Sequence, residues 1–155
     1  MIVLARPKVK LRAATINDKI FLFDLAKTVY KKLMTDQFGE WKENSQRNYF
    51  EKKWEKANYQ IIEKDDKRIG TIWVTTKKDY IQLNEIQLLP QFQRQGIGST
   101  LVHRELEKAQ EQGKLMRLRL LKKNKAIRFY ERLGFVVYDE TDTRFFMTTE
   151  HTNCE

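Results

Sequence analysis

Gln93-Arg94-Gln95-Gly96-Ile97-Gly98 separates two segments of different periodicity, and the reading of this junction decides the fold. Upstream, Tyr80 to Leu89 has the pattern of a strand. Downstream, Ile97, Leu101, Val102, Leu106 and Ala109 recur at helical spacing, which predicts a helix to about Gln112 that ends at Gly113. A strand that runs through a glycine-bearing turn into a helix turns unpaired amide N–H groups outward. The positive end of the helix dipole adds to them, so an anion is favoured there. Gly96 and Gly98 lack a Cβ and let phosphate oxygens approach the backbone, Arg94 brings a charge and Ser99 a hydroxyl. A dinucleotide fingerprint would need a third glycine and a ribose-binding acid about 20 residues on, and a Walker loop would need Gly-Lys-Ser/Thr. Neither is present. The competing reading is a plain strand-to-helix turn.

Working outward, Val9, Leu11 and Ala13 alternate with Lys10 and Arg12 as a first strand. Thr15 to Asp18 resembles a helix start, with Thr15 as the cap and Asp18 facing the dipole. The helix that follows is expected to bury Ile20, Phe21, Leu25, Val29 and Leu33. A second, Glu43 to Lys56, is expected to bury Tyr49, Phe50 and Trp54. Strands at 59–62, 69–74 and 80–89, joined by short polar turns, predict an antiparallel meander. Beyond the junction helix come a strand (Leu115 to Leu121), a helix (Lys125 to Leu133) closed by Gly134, and strands at 135–138 and 144–149. The order β-α-α-β-β-β-α-β-α-β-β predicts an α/β (α+β) fold: one mixed, mostly antiparallel sheet with helices on its faces. The length of 155 residues fits a single domain, 1–155, with an ordered core of about 8–150.

Composition narrows the function. Thirty Lys and Arg against 21 Asp and Glu leave a charge of +9, which favours an anionic partner, although the lysines are spread along the chain and also serve solubility. A nucleic-acid partner is disfavoured because only Lys122, Lys123 and Lys125 approach a cluster. No apolar run approaches the roughly 20 residues of a membrane span, and Met1 to Pro7 is too short in its apolar part for a signal peptide. The single cysteine, Cys154, excludes a disulfide framework, so a cytoplasmic location is expected. His103 and His151 have no partners at ligand spacing, so no metal site is expected.

The segment Leu88-Leu89-Pro90-Gln91-Phe92-Gln93-Arg94-Gln95-Gly96-Ile97-Gly98-Ser99 resembles the acetyl-CoA segment of the GNAT superfamily of N-acetyltransferases. Asn124-Lys125-Ala126-Ile127-Arg128-Phe129-Tyr130-Glu131-Arg132-Leu133-Gly134-Phe135 resembles that family's second signature. The resemblance covers nearly the whole chain and implies an N-acetyltransferase that uses acetyl-CoA as co-substrate. It further implies that the fourth and fifth strands splay apart around the pantetheine arm. Main-chain groups of Ile86, Gln87 and Leu88 would pair with that arm, and the Leu88 N–H would polarise the thioester carbonyl. The amides from Arg94 to Ser99, following Gln93, would hold the pyrophosphate, and Asn124 would contact the arm from the opposite wall. Many relatives carry the Asn seven residues before the Tyr, where this chain has Lys123; Asn124 stands six before Tyr130, a spacing other relatives share.

In such an enzyme the acceptor amine attacks the thioester directly, a base takes its proton, and the departing thiolate receives one. The resemblance gives the donor role to Tyr130, whose other reading is core packing beside Phe129 and Phe135. Glu85 is the candidate base, with a salt bridge to a lysine as the alternative. Where amino-terminal protein acetyltransferases often carry a glutamate, five residues before the Asn, this chain has Arg119, which points toward an acceptor bearing an acidic group. Phe38 and Trp41 are candidate acceptor contacts. The acceptor, a small-molecule or protein amine, stays unnamed, with polycations disfavoured by the charge; a homodimer is left open. A non-catalytic acetyl-CoA-binding module on the same fold is the alternative function.

Overall fold

The computed structural model describes residues 8–150; the readings of Met1 to Pro7, His151 and Cys154 fall outside the described residues. One seven-stranded sheet is formed by β1 (Lys10–Ala13), β2 (Gln60–Lys64), β3 (Lys67–Thr76), β4 (Tyr80–Leu88), β5 (Leu115–Leu121), β6 (Val136–Glu140) and β7 (Arg144–Thr148). Their spatial order is β1-β2-β3-β4-β5-β7-β6. Only β4 and β5 run parallel; every other neighbouring pair is antiparallel. The helices are α1 (Lys19–Phe38), α2 (Glu43–Lys56), α3 (Ile97–Glu111) and α4 (Ile127–Arg132). The mixed, mostly antiparallel sheet expected from the sequence is therefore what forms.

Two apolar clusters lie on opposite faces of the sheet, as the adjacent residues Ile61 and Ile62 show: both are fully buried, one in each cluster. The larger cluster joins Ile72, Ile81, Leu83, Met116 and Leu118 to Ile97, Leu101 and Val102 of α3 and to Tyr130 of α4. The smaller joins Leu22, Phe23 and Phe50 of α1 and α2 to Tyr59 and Ile61. At full burial each such side chain contributes about 1.5–3 kcal/mol, so either face failing to form would unfold the chain.

The β4 sequence carries one residue too many for simple alternation. Ile81 and Leu83 face the larger cluster, and so do Ile86 and Leu88, which shifts the apolar parity from odd to even. Asn84 takes up the difference: the register runs Val74 opposite Leu83, then Trp73 opposite Glu85. The Asn84 amide donates to the Thr75 hydroxyl at 2.8 Å and holds the bulge. As a result Glu85 and Gln87 are turned to the α1–α2 face.

Several local expectations are corrected. The inner face of α1 is formed by Leu22, Phe23 and Leu25, and Ile20 is 78% exposed. The run Ile20-Phe21-Leu22-Phe23-Asp24-Leu25 is too densely apolar for period alone to choose a face. On α2, Phe50 is buried but Tyr49 is exposed, because only Phe50 meets Phe23, at 5.5 Å between ring centroids. Helix α4 begins at Ile127 rather than Lys125, since Asn124 Oδ1 accepts the Ala126 N–H at 2.9 Å and holds the preceding turn. A short 3-10 turn, Ile16–Asp18, precedes α1.

Thr15 is the N-cap of the 3-10 turn and Asp18 the acid of its first turn, as expected, but Asp18 does more than face the dipole. It is buried, accepts the Thr15 N–H at 2.8 Å, and receives Arg12 at 2.7 and 2.9 Å and Arg68 at 3.4 Å. The Arg12 hydrogen bond, aided by the Thr15 N–H and opposed by burial, holds its carboxyl well below the usual carboxylate range. A depressed folded value stabilises the protein above the unfolded value near 4, and the gain is lost as pH falls through the folded value. Asp18→Asn should therefore cost about 2 kcal/mol at neutral pH, a figure reduced because Arg12 is 38% exposed. The difference from wild type should shrink in acid unfolding titrations below about pH 4.

Candidate functional site

The parallel ladder between β4 and β5 is short. It pairs Tyr80 with Leu115 through Leu83 with Leu118 and stops at the Asn84 bulge. From there β4 continues to Leu88 and β5 to Leu121 without pairing to each other, while each keeps its outer neighbour, β3 or β7. The two strands thus splay where the sequence implied, and the backbone of Ile86, Gln87 and Leu88 faces the opening on its β5 side.

At the wide end of this opening, β4 runs through a 3-10 turn, Pro90–Phe92, into the junction loop. Two sharp left-handed residues shape it, Arg94 (φ 61°) and Gly96 (φ 81°). Arg94 is a non-glycine in a costly conformation, of the kind often kept at ligand sites. Gln93 braces the loop by donating to the Leu88 carbonyl at 2.9 Å, and Gln95 donates to the Gln91 carbonyl at 3.0 Å. The side chains of Gln93 and Gln95 thus serve the loop's own shape.

Gly96 is the N-cap of α3 and offers no side chain to the helix. The first helical bond runs from the Thr100 N–H to the Gly96 carbonyl at 3.0 Å, and the Thr100 hydroxyl reinforces it at 2.8 Å. Among the described residues, the N–H groups of Gly96, Ile97, Gly98 and Ser99 donate to no protein acceptor. The helix dipole therefore adds to four open amides.

Gly98 tests whether a phosphate fits. A Cβ at this position would lie 3.9 Å from Phe129 Cζ and 4.0 Å from Leu88 Cδ1, ordinary contact distances. The protein itself does not demand glycine there; the space a Cβ would fill is open to a ligand oxygen. Gly70 is the opposite case, since its Cβ would stand 2.2 Å from the Gln87 carbonyl oxygen and 2.8 Å from Leu88 Cδ2. Gly70→Ala should push β3 off β4 beside the opening and lower the unfolding midpoint, at a cost of about 1–3 kcal/mol.

The two residues expected to carry the chemistry lie on opposite faces of the sheet. Tyr130 of α4 is buried, with edge-to-face contacts to Phe129 (5.2 Å) and Phe135 (5.7 Å), and its hydroxyl makes no hydrogen bond among the described residues. Burial pushes its pKa up to about 12, so it stays protonated. The ring is packed in the core as the second reading has it, and the hydroxyl is left without a partner among the described residues. Glu85, on the α1–α2 face, pairs with Lys53 of α2, and the Gln87 amide donates to its second oxygen at 3.4 Å. The salt bridge weighed for Glu85 is therefore present.

Sequence reasoning passed over two tyrosines whose titration responds to the charge of Glu85, Tyr30 and Tyr59. Tyr30 of α1 has its pKa raised first by burial and then by the charge of Glu85, with a hydrogen bond from Gln87 opposing; Tyr130 and Tyr49 add smaller contributions. Tyr59 is raised for the same leading reasons, burial and Glu85. Tyr30 stands on α1, on the side of the sheet to which Glu85 turns. The corrected α1 face would have suggested it, because Tyr30 lies two turns beyond Phe23.

Asn124 lies between β5 and α4 with its Oδ1 accepting the Ala126 N–H, and its amide group makes no hydrogen bond among the described residues. The basic trio is dispersed: Lys122 pairs with Glu140 at 3.1 Å, and Lys123 donates to the Asp36 carbonyl at 2.7 Å. Phe38 is exposed, and Trp41 Nε1 donates to Glu43 at 2.8 Å. His103 is exposed on α3, and among the described residues no group of three potential metal ligands is found.

The fold is thus an open sheet splayed at its parallel pair, with a helix of unclaimed N-terminal amides following the splayed strand β4. The sequence model of the acetyltransferase (GNAT) domain matches residues 55–137, more than half of the chain, and the chain belongs to that family. No curated protein matches it in sequence. Among solved structures it is similar to the PaiA N-acetyltransferase from Thermoplasma acidophilum in complex with coenzyme A, at 20% identity and TM-score 0.74 over 93% of this chain and 99% of that one. It is also similar to a GNAT family acetyltransferase from Elizabethkingia anophelis with acetyl-CoA bound, at 14% identity and TM-score 0.66 over 92% and 97%. Arabidopsis thaliana Naa50 in complex with the bisubstrate analogue CoA-Ac-MVNAL aligns at 16% identity and TM-score 0.63 over 92% and 98%. At these identities the likeness is one of fold.

Proposed function

We propose that the protein transfers the acetyl group of acetyl-CoA to a primary amine by direct attack on the thioester. The observation that carries this reading is the ending of the β4–β5 ladder at Leu83–Leu118 together with the open amides of Gly96 to Ser99, to which β4 leads through the junction loop. Acetyl-CoA supplies an activated acyl group and a thiol leaving group; the remaining chemistry belongs to the chain. The amides from Arg94 to Ser99 bind the pyrophosphate, with the Arg94 side chain adding charge. Main-chain groups of Ile86 to Leu88 pair with the pantetheine arm like an added strand, Asn124 donates to it from the opposite wall, and the Leu88 N–H polarises the carbonyl. Glu85 receives the acceptor's proton, and the Tyr130 hydroxyl protonates the departing sulfur. The neighbours bound to coenzyme A or acetyl-CoA support the choice of donor.

The acceptor amine enters from the α1–α2 face, to which Glu85 turns and where Tyr49 lies against Lys53. The test is thiol release from acetyl-CoA across a panel of amines, with amino acids and peptides included. Because Tyr130 is pushed up to about 12, the rate should show no alkaline limb from the proton donor below about pH 11, so a pH–rate profile checks its assignment. A fall in kcat already near pH 9 would assign the donor elsewhere.

A further inference from the structure

Lys53 lies in the last turn of α2, and its ammonium donates to Glu85 Oε1 across 32 positions of sequence. Its side chain is only 20% exposed and that of Glu85 12%, and the Lys53 nitrogen also lies 4.8 Å from the centroid of the Tyr49 ring. A primary amine is therefore held by aromatic and acidic partners on the carboxylate next to Ile86. Other paired lysines, such as Lys19 with Glu51, Lys27 with Glu43 and Lys122 with Glu140, rest on carboxylates outside β4. Consecutive Cα atoms are about 3.8 Å apart, so Glu85 stands one residue from the start of the open β4 backbone.

We propose that Lys53 is itself an acetyl acceptor: when no external amine is bound, its ε-amine occupies the acceptor's place on Glu85 and is acetylated in cis from acetyl-CoA. The proposal rests on the acetyltransferase reading above. The ammonium gives a proton to Glu85, and the nitrogen lone pair forms a bond to the thioester carbonyl carbon. The C–S bond breaks, coenzyme A leaves with a proton from Tyr130, the nitrogen releases its second proton to solvent, solvent reprotonates Tyr130, and Glu85 passes its proton to solvent. The product is a neutral amide, which ends both the ion pair with Glu85 and the cation–π contact with Tyr49. Because the amine is prepositioned, the step is effectively unimolecular and should outrun random acetylation of surface lysines by more than about tenfold.

The experiment incubates the full chain, shown by mass to be unmodified at Lys53, with acetyl-CoA and no amine. Intact mass and peptide mapping are followed in time, and calorimetry measures acetyl-CoA binding separately. The expected result is one added acetyl group, on Lys53, at a rate independent of protein concentration. It should be absent in Lys53→Arg, which keeps the cation, and at least about tenfold slower in Glu85→Gln, which keeps the amine. The proposal is overturned if acetyl-CoA binds and external amines are turned over while Lys53 stays unmodified. It is equally overturned if the label spreads evenly over exposed lysines. Absence of acetyl-CoA binding would overturn the acetyltransferase reading as well, and the calorimetric arm tells the two failures apart.

Discussion

Gly98→Asp weakens acetyl-CoA binding by at least about 100-fold, roughly 2.7 kcal/mol, and leaves the fold intact. The two halves of this expectation have separate causes. A Cβ at Gly98 meets only Phe129 Cζ and Leu88 Cδ1, at 3.9 and 4.0 Å, so the protein accommodates it. An acidic residue in the first turn of α3 also complements the helix dipole, which favours the folded state. Yet the same carboxylate fills the space before the open amides of Gly96 to Ser99 and repels a pyrophosphate. Calorimetry with acetyl-CoA and a thermal melt on the same sample check both halves. Unchanged affinity would mean that this helix end does not hold the ligand. Gly98→Ala is the graded companion, with a smaller loss because it adds bulk without charge.

Tyr130→Phe lowers kcat by about 10²–10⁴-fold and changes acetyl-CoA affinity by no more than about twofold. The ring contacts with Phe129 and Phe135 survive the substitution, so packing is conserved. The hydroxyl has no hydrogen-bond partner among the described residues, so its removal strands no neighbour. A purely structural tyrosine would therefore give a near-silent variant. A drop in kcat with unchanged binding isolates the proton delivered to the leaving sulfur. Full activity in Tyr130→Phe would move that role to solvent or to another group.

Much of this was legible in the chain because the decisive features are local. The junction from β4 into α3 is a change of period around two glycines, and α3 begins at Ile97, as the spacing predicts. Even the splay has a sequence signature. Ile81 and Leu83 followed by Ile86 and Leu88 require one inserted residue, Asn84, and the parallel ladder ends there. What stayed hidden depends on which elements meet. Four apolar residues in the first five of α1 after Lys19 allow more than one stripe, so Ile20 was placed inward and Tyr30 passed over. Lys53 and Glu85 lie 32 positions apart, on a helix and a strand, and no local pattern announces their pairing. Asp18 looked like an ordinary first-turn acid until Arg12 and Arg68 closed over it. The lysines at 122 and 123 looked like a patch but point to Glu140 and to the end of α1.

The central claim is that the opened β4–β5 pair and the N-terminus of α3 form an acetyl-transfer site. Its most direct test is thiol release from acetyl-CoA over an amine panel, with wild type and Gly98→Asp measured side by side. The account predicts amine-dependent release by wild type with at least one class of acceptor, and its loss at sub-saturating acetyl-CoA in Gly98→Asp. Tight acetyl-CoA binding without release to any amine would contradict it, and would leave a binding module on this fold.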